Sequence, residues 1–324
     1  MTSVTICMPC FNTEATIEES VRSVLAQTFE SFQLKIIDDC STDGTFAKLV
    51  SLVKEDSRIS IFRNEKNLGL ENNLTRCIDL AEGRFTAIWH ADDVYESTLL
   101  AEEVDSLEKY PESVAVFSSG SQIDQQSRHA GHRYIPGEWR TKKIVRLDRL
   151  ALFEITLKYG NLINCPTLLS RTDALKSSLK SFDYRTYKSA ADVDSYFRLV
   201  EAGELLVLPR ELFRYRLSET SFSFRERKRR TTPHDFFLVL DHQIELRKRA
   251  NALTDRENRY YRFLRAKDLA LRAWNWKQSK VGEDPLMAER IDWSILFRLM
   301  FVSRFHFKFA VAALSVFILR RMLP

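Results

Sequence analysis

Apolar runs of strand length alternate with helical faces along the first 95 residues, and this alternation limits the fold more than any other feature of the chain. Val4–Met8 reads as a buried strand stopped by Pro9. Asn12 and Thr13 then offer an N-cap, and Ile17, Val21, Val24 and Leu25 mark one helical face. Leu34–Ile37 is the next strand, ending on Asp38 and Asp39. Ser41, Thr42 and Asp43 supply turn and cap chemistry before Phe46, Leu49, Val50 and Val53. Ile59–Phe62 is a third strand. Leu70, Leu74, Cys77, Ile78 and Ala81 form a helix face that Gly83 is placed to end. Phe85–Trp89 is a fourth strand, running into Asp92 and Asp93. Short links between strands and helices call for an α/β fold with a parallel sheet covered by helices. Such crossovers are right-handed, and ligands sit beyond the carboxyl ends of the strands. Asp39 and Asp93 each follow a strand's last apolar residue, so both are expected at one crevice.

Beyond residue 110 the pattern loosens. Val114–Phe117 reads as a strand, 120–145 as loop-rich, Leu150–Leu157 as helix and Thr167–Leu169 as extended. Val193–Val200 reads as helix, Leu205–Leu208 and Leu212–Tyr215 as strands, and the chain from 234 onward as almost wholly helical. A division into 1–223 and 224–324 follows. The 324 residues are 44% hydrophobic and 29% charged, ample for a core. The five cysteines are odd in number and unpaired in spacing, as in a reducing compartment; the lone C-x-x-C of Cys7 and Cys10 has no second pair to complete a zinc site. No G-x-G-x-x-G follows the first strand, which argues against a dinucleotide-dependent dehydrogenase.

Adjacent carboxylates beside an apolar strand are costly unless a cation neutralises them. Mg²⁺ or Mn²⁺ is the natural candidate, since such ions take one or two protein carboxylates and fill their other positions with water and phosphate oxygens. The alternative is that Asp92 and Asp93 merely cap a helix starting near Ser97.

Three stretches bear on that choice: TICMPCFNTEATIEESVRSVLAQTF, IIDDCSTDGT and NEKNLGLENNLTRCIDLAEGRFTAIWHADDVY. In order and spacing they resemble the family 2 glycosyltransferases, which have the GT-A fold, and the likeness resumes at NCPTLLSR, ADVDSYFRLVEAG and YRLSETSFS. The resemblance implies an inverting sugar transfer from a nucleotide sugar, UDP- or dTDP-linked, to a hydroxyl of a glycan or lipid-linked acceptor in surface polysaccharide synthesis. It places Pro9, Phe11, Asn12 and Glu14 in the loop lining the nucleotide pocket. Asp39 would accept a hydrogen bond from the base ring, and Asn67 and Gly69 form the turn beneath the nucleotide. Asp92 would lie near the ribose, Asp93 on the metal, and Asp192 would be the catalytic base, with Asp194 as its near alternative. Two departures stand out: His90 and Ala191 occupy positions where the family often has acids. Ser218 lies in the segment where many members have a His, which leaves Arg216 or a basic neighbour to help with the diphosphate.

Charge divides unevenly: 22 Lys/Arg face 11 Asp/Glu from 221 to 324, against 27 and 33 in the rest. Basic runs occur at 225–230 and 247–249. The closing segment has an uninterrupted apolar stretch, Phe309–Leu319, well short of the ~20 residues a spanning helix needs. Residues 291–324 therefore read as a helix lying on an anionic membrane surface, or alternatively packed on protein. No secretory signal is expected at the N-terminus, so the chain is expected in the cytoplasm at the inner face of the membrane. Nucleic acid is not an expected partner, because aromatic platforms in a matching fold are missing. Two other readings are a sugar transferase acting on a polyprenyl phosphate and a membrane-bound partner that keeps the fold without turnover. The oligomeric state is not legible.

Overall fold

The computed structural model describes residues 3–218, 230–279 and 282–322, with side chains to 315. The chain forms two compact units. The first holds 1–150, 162–185 and 191–217; the second holds 151–161, 186–190 and 218–324. The basic residues at 225–229 and the end of the YRLSETSFS match lie outside the described residues.

Unit 1 is built on one sheet of ten strands: β1 (Val4–Cys10), β2 (Phe32–Asp38), β3 (Ile59–Arg63), β4 (Phe85–Ile88), β5 (Val94–Tyr95), β6 (Ser113–Ile123), β7 (His129–His132), β8 (Val145–Leu147), β9 (Leu168–Arg171) and β10 (Glu204–Arg216). Their spatial order is β3-β2-β1-β4-β9-β6-β10-β5, with β7 on β6 and β8 on β10. Strands β1 to β4 pair in parallel, as the alternating pattern requires. β9 runs antiparallel between β4 and β6, and β6 is parallel to β10. The helices α1 (Ile17–Leu25), α2 (Thr45–Glu55), α3 (Gly69–Asp79) and α4 (Leu99–Lys109) flank the sheet. The apolar faces of α1, α2 and α4 join the β1, β2 and β4 side chains in a core that includes Ile6, Val21, Leu34, Leu49, Phe85 and Leu107, and α3 buries Leu74, Cys77 and Ile78.

Four local readings change. β1 continues through Pro9 to Cys10. The Cys7 carbonyl accepts from Trp89 N–H and that of Cys10 from Asp39 N–H, so Pro9 faces the side on which β4 has already ended and no ladder bond is lost. The polar 120–145 region is not all loop, since β6 runs to Ile123 and β7 and β8 follow. The two strands expected after 205 are one, β10, bent by register shifts between Leu208 and Phe213. The helix after the acidic pair starts at Leu99, and β5 intervenes.

Unit 2 is helical, with long segments at Phe236–Arg249, Asp255–Ser279 and Arg304–Met322. Its buried charges are paired: Arg230 and Arg272 both hold Asp268, at 2.7 and 2.9 Å. His306 is fully buried beside Phe263, Tyr260 and Tyr159. Burial, reinforced by Lys158 and Lys267, lowers its pKa to about 4. The unfolded chain therefore takes up this proton first as pH falls. The stability conferred by the neutral imidazole is complete above the ordinary histidine range and is lost as pH drops towards about 4. That loss is on the order of 3 kcal/mol. Urea unfolding of unit 2, followed by tryptophan fluorescence at pH 7 and pH 4.5, should show it, and His306→Leu should flatten the slope.

Candidate active site

The turn after β4 carries the acids, and helix α1 holds that turn in place. Thr16 and Ser20 hydroxyls donate to the Ala91 carbonyl, at 3.0 and 2.9 Å, and Ser20 Oγ also reaches the Asp93 carbonyl at 2.7 Å. Tyr95 N–H donates to Ser23 Oγ at 3.1 Å. Thr16, Ser20 and Ser23 recur at helical spacing, so α1 has a polar stripe beside its apolar one. In the sequence the only mark of this stripe is hydroxyl residues at 16, 20 and 23, a signal weaker than the apolar face formed by Ile17, Val21 and Val24. Tyr95 completes the clamp. Its hydroxyl accepts from His90 N–H at 2.6 Å and donates to the His90 carbonyl at 3.0 Å. Its ring stacks on Trp89 with centroids 4.3 Å apart. Both aromatics are buried, so they are core rather than a sugar platform.

Within that turn, Asp93 is fully buried. One carboxylate oxygen, Oδ1, accepts from Arg216 N–H at 2.8 Å, while Oδ2 is buried with no hydrogen-bond partner among the described residues. Burial pushes its carboxyl well above the usual carboxylate range, and the neighbouring Asp92 charge adds to the rise. His90, Asp92 and Asp93 each offer a ligand atom, and these atoms lie within 4.8 Å of one another. His90 Nε2 is also buried without a partner. Two orphaned donors beside a half-buried carboxylate fit a divalent ion, which would satisfy both.

Arg216 plays a different part from the one expected of it. It is 3% exposed, and its guanidinium donates to the Asp92 and Asp124 carbonyls, Ser127 Oγ and Glu19 Oε2. With four N–H groups committed, it braces the acidic turn and is not available as a diphosphate ligand. Arg133 is the cation left open. Among the described residues its guanidinium makes no ion pair. It lies 5.0 Å from the Tyr215 ring centroid, within electrostatic reach of Asp93 and of Tyr196.

Asp39 is buried at the end of β2. Oδ1 accepts from Asn64 Nδ2 and Leu68 N–H, at 2.7 and 2.8 Å, and Oδ2 from Gly69 N–H at 2.9 Å. A carboxylate has about four acceptor positions, so about one remains, on Oδ2, for a base ring. Asn67 Oδ1 shares the Gly69 N–H at 2.9 Å, and Gly69 adopts a φ of 81° that a side chain would strain. Asn64 and Asn73, buried behind this turn, are supporting residues that the sequence reading missed. Asn73 stands out only as a polar residue on the buried face of α3. Asp38 turns away, to accept from Ser41 N–H and pair with Arg63 at 3.2 Å.

The first loop is tied to the segment after β2. Asn12 Oδ1 accepts from Thr42 N–H and Glu14 Oε2 from Gly44 N–H, both at 2.9 Å. Pro9 is buried in β1, whereas Phe11, Asn12 and Glu14 are exposed. Asp192 is the second residue of the helix Ala191–Leu199 and half-buried. Its Oδ1 accepts from Val193 N–H at 2.8 Å, and Tyr196 Oη lies 3.4 Å from Oδ2. Asp194 is buried and paired with Arg198 at 2.8 Å, so its carboxylate is committed elsewhere. The structure thus gathers His90, Asp92 and Asp93 in one turn, and Asp39, Asn67 and Gly69 in another. Tyr196, beside Asp192, shares Arg133 as a charged neighbour with Asp93.

The family model described as Glycosyl transferase family 2 matches residues 5–167. An uncharacterized glycosyltransferase of Haemophilus influenzae is 29% identical over 218 residues, 67% of this chain and 65% of that one. The Escherichia coli UDP-Glc:alpha-D-GlcNAc-diphosphoundecaprenol beta-1,3-glucosyltransferase WfgD is 27% identical over 217 residues, 59% of this chain and 84% of that one. The matched region spans 65% of the length of each of the first two curated relatives. Among solved structures, Staphylococcus aureus TarS 1–349 in complex with UDP-GlcNAc superposes with a TM-score of 0.54 at 16% identity, over 86% of this chain and 88% of that one. That likeness shows a shared fold.

Proposed function

The chain belongs to glycosyl transferase family 2, and from that premise we propose that it moves a sugar, with inversion, from a UDP- or dTDP-sugar to a hydroxyl of a lipid-linked glycan acceptor in surface polysaccharide synthesis. One observation carries the reading: Asp93, whose Oδ2 is buried and unpartnered among the described residues, offers a ligand atom within 4.8 Å of those of Asp92 and His90, in a turn fixed by α1 and Arg216. Asp93, with Asp92 beside it, would hold Mg²⁺ or Mn²⁺, which when bound supplies positive charge against the departing diphosphate. Arg133 contributes a further open cation to the same region. The remaining lone pair of Asp39 takes a ring N–H of uracil or thymine, while the Asn67–Gly69 turn supports the nucleotide. Asp192 accepts the proton of the acceptor hydroxyl as its oxygen attacks the anomeric carbon, which inverts in a single displacement.

UDP and UDP-GlcNAc occur in TarS structures, and diphosphoundecaprenol in the names of two Escherichia coli relatives; these support a uridine donor and a lipid-linked acceptor. A melting-temperature screen of nucleotide sugars with and without Mn²⁺ tests the donor assignment, because a ligand bound only by the native state raises the transition. A UDP- or dTDP-sugar should give the largest Mn²⁺-dependent rise. No rise with any nucleotide sugar would contradict the reading.

We also read unit 2 as a peripheral membrane contact. No described helix is long and apolar enough to cross a membrane. Phe297, Phe301, Phe307 and Val311 are exposed, with Arg298, Arg304 and Lys308 among them, and no acid follows Asp292. Exposed rings and unopposed cations suit an anionic lipid surface. The protein should float with phosphatidylglycerol vesicles and not with phosphatidylcholine ones; Phe301→Ser with Phe307→Ser should weaken flotation at least fivefold, and flotation unaffected by these changes would count against the contact.

A further inference from the structure

His90 is the one donor of the acidic turn that the pairing of carboxylates does not explain. Its backbone is pinned at both N–H and carbonyl by Tyr95, the next carbonyl by Thr16 and Ser20, and that of Asp92 by Arg216 Nε at 2.8 Å. The backbone that carries the ring is therefore fixed, and among the described residues the buried Nε2 has no hydrogen-bond partner. An imidazole nitrogen withdrawn from water costs stability unless a partner appears. A ligand atom of this ring lies within 4.8 Å of those of Asp92 and Asp93. Phosphate oxygens would be repelled by the acids there; a divalent cation satisfies all three groups together.

Resting on the proposed metal site, we infer that His90 is a direct ligand of the ion and gives the site a preference for Mn²⁺ or Co²⁺ over Mg²⁺. Mg²⁺ demands oxygen ligands in a near-ideal octahedron and sheds water reluctantly. Imidazole binds first-row transition ions more readily, with Co²⁺ above Mn²⁺ in the affinity series. A mixed nitrogen and carboxylate set therefore discriminates where an all-carboxylate set would not. The signal in the sequence was the replacement of an acid by His90 immediately ahead of an intact Asp pair.

The test uses the full chain with Mn²⁺ and UDP. Pulsed electron paramagnetic resonance of the bound Mn²⁺ in the unaltered protein should show a directly coordinated ¹⁴N, and Mg²⁺ should displace the ion only at more than tenfold excess. His90→Ala should weaken Mn²⁺ binding at least tenfold with little effect on Mg²⁺, and His90→Asp should bring the two affinities together. Bound Mn²⁺ with no nitrogen coupling, or His90→Ala with unchanged Mn²⁺ affinity while Asp93→Asn abolishes it, would overturn the role of His90 and leave the metal site standing. Mn²⁺ bound equally well by Asp93→Asn would remove the site itself.

Discussion

Asp192→Asn will lower turnover by about 10²–10⁴-fold, the range general-base help supplies, while the affinity for UDP with Mn²⁺ stays within about twofold. The amide keeps the shape of the side chain and can still accept from Val193 N–H, the bond that Oδ1 makes at 2.8 Å. It cannot take the proton of an attacking hydroxyl. In the proposed mechanism the donor is held by Asp39, Gly69 and Asp93 rather than by Asp192, so the loss should fall on kcat. A fall in melting temperature with normal turnover would instead mark Asp192 as a helix-terminus residue, since its position in the first turn suits that role too. Asp194 offers the internal comparison. Its pairing with Arg198 at 2.8 Å predicts that Asp194→Asn costs stability and little of the chemical step. Initial rates and unfolding midpoints of both variants separate the roles.

Asp93→Ala is expected to abolish Mn²⁺-dependent binding of UDP and to reduce transfer by at least about 10³-fold, a size met when a group stabilising transition-state charge is lost. The side chain has one oxygen bonded to Arg216 N–H and one bare. Alanine removes the ligand and also leaves that amide unpaired, so some loss of stability accompanies it. Asp93→Asn keeps an acceptor for the amide, and its melting temperature should stay near that of the unaltered protein while metal binding fails. Proton competition adds a second signature. Burial and Asp92 hold the Asp93 carboxyl above its usual range, so protons contend with metal for it. Mn²⁺ affinity should rise with pH as that proton is released on binding, and an affinity that does not change with pH would count against Asp93 as the ligand.

Much of unit 1 was legible because its signals are local. The strands at Val4, Leu34, Ile59 and Phe85 follow from apolar runs bounded by turn chemistry, and their helices from the spacing of residues such as Leu74, Cys77 and Ile78. The later strands were less so. β9 lies antiparallel between β4 and β6, a placement set by long-range pairing that periodicity does not encode. The division of labour among site residues was hidden for the same reason. Nothing in the sequence separates Arg216, whose guanidinium is spent on Glu19, Ser127 and carbonyl groups 89 to 197 positions distant, from Arg133, which has no ionic partner among the described residues. Asp39 was found as an acceptor, but its three bonds to Asn64, Leu68 and Gly69 needed coordinates. His90 was noticed as a departure; only the position of its ring beside the two acids turned it into a candidate ligand.

A crystal of the protein grown with Mn²⁺ and UDP, with anomalous scattering collected for manganese, addresses the central claim most directly. The account predicts one strong peak within bonding distance of Asp93 Oδ2 and the UDP diphosphate, with the uracil ring on the Asp39 side. A peak away from the His90–Asp93 turn, or UDP seated elsewhere with that turn empty, would contradict it.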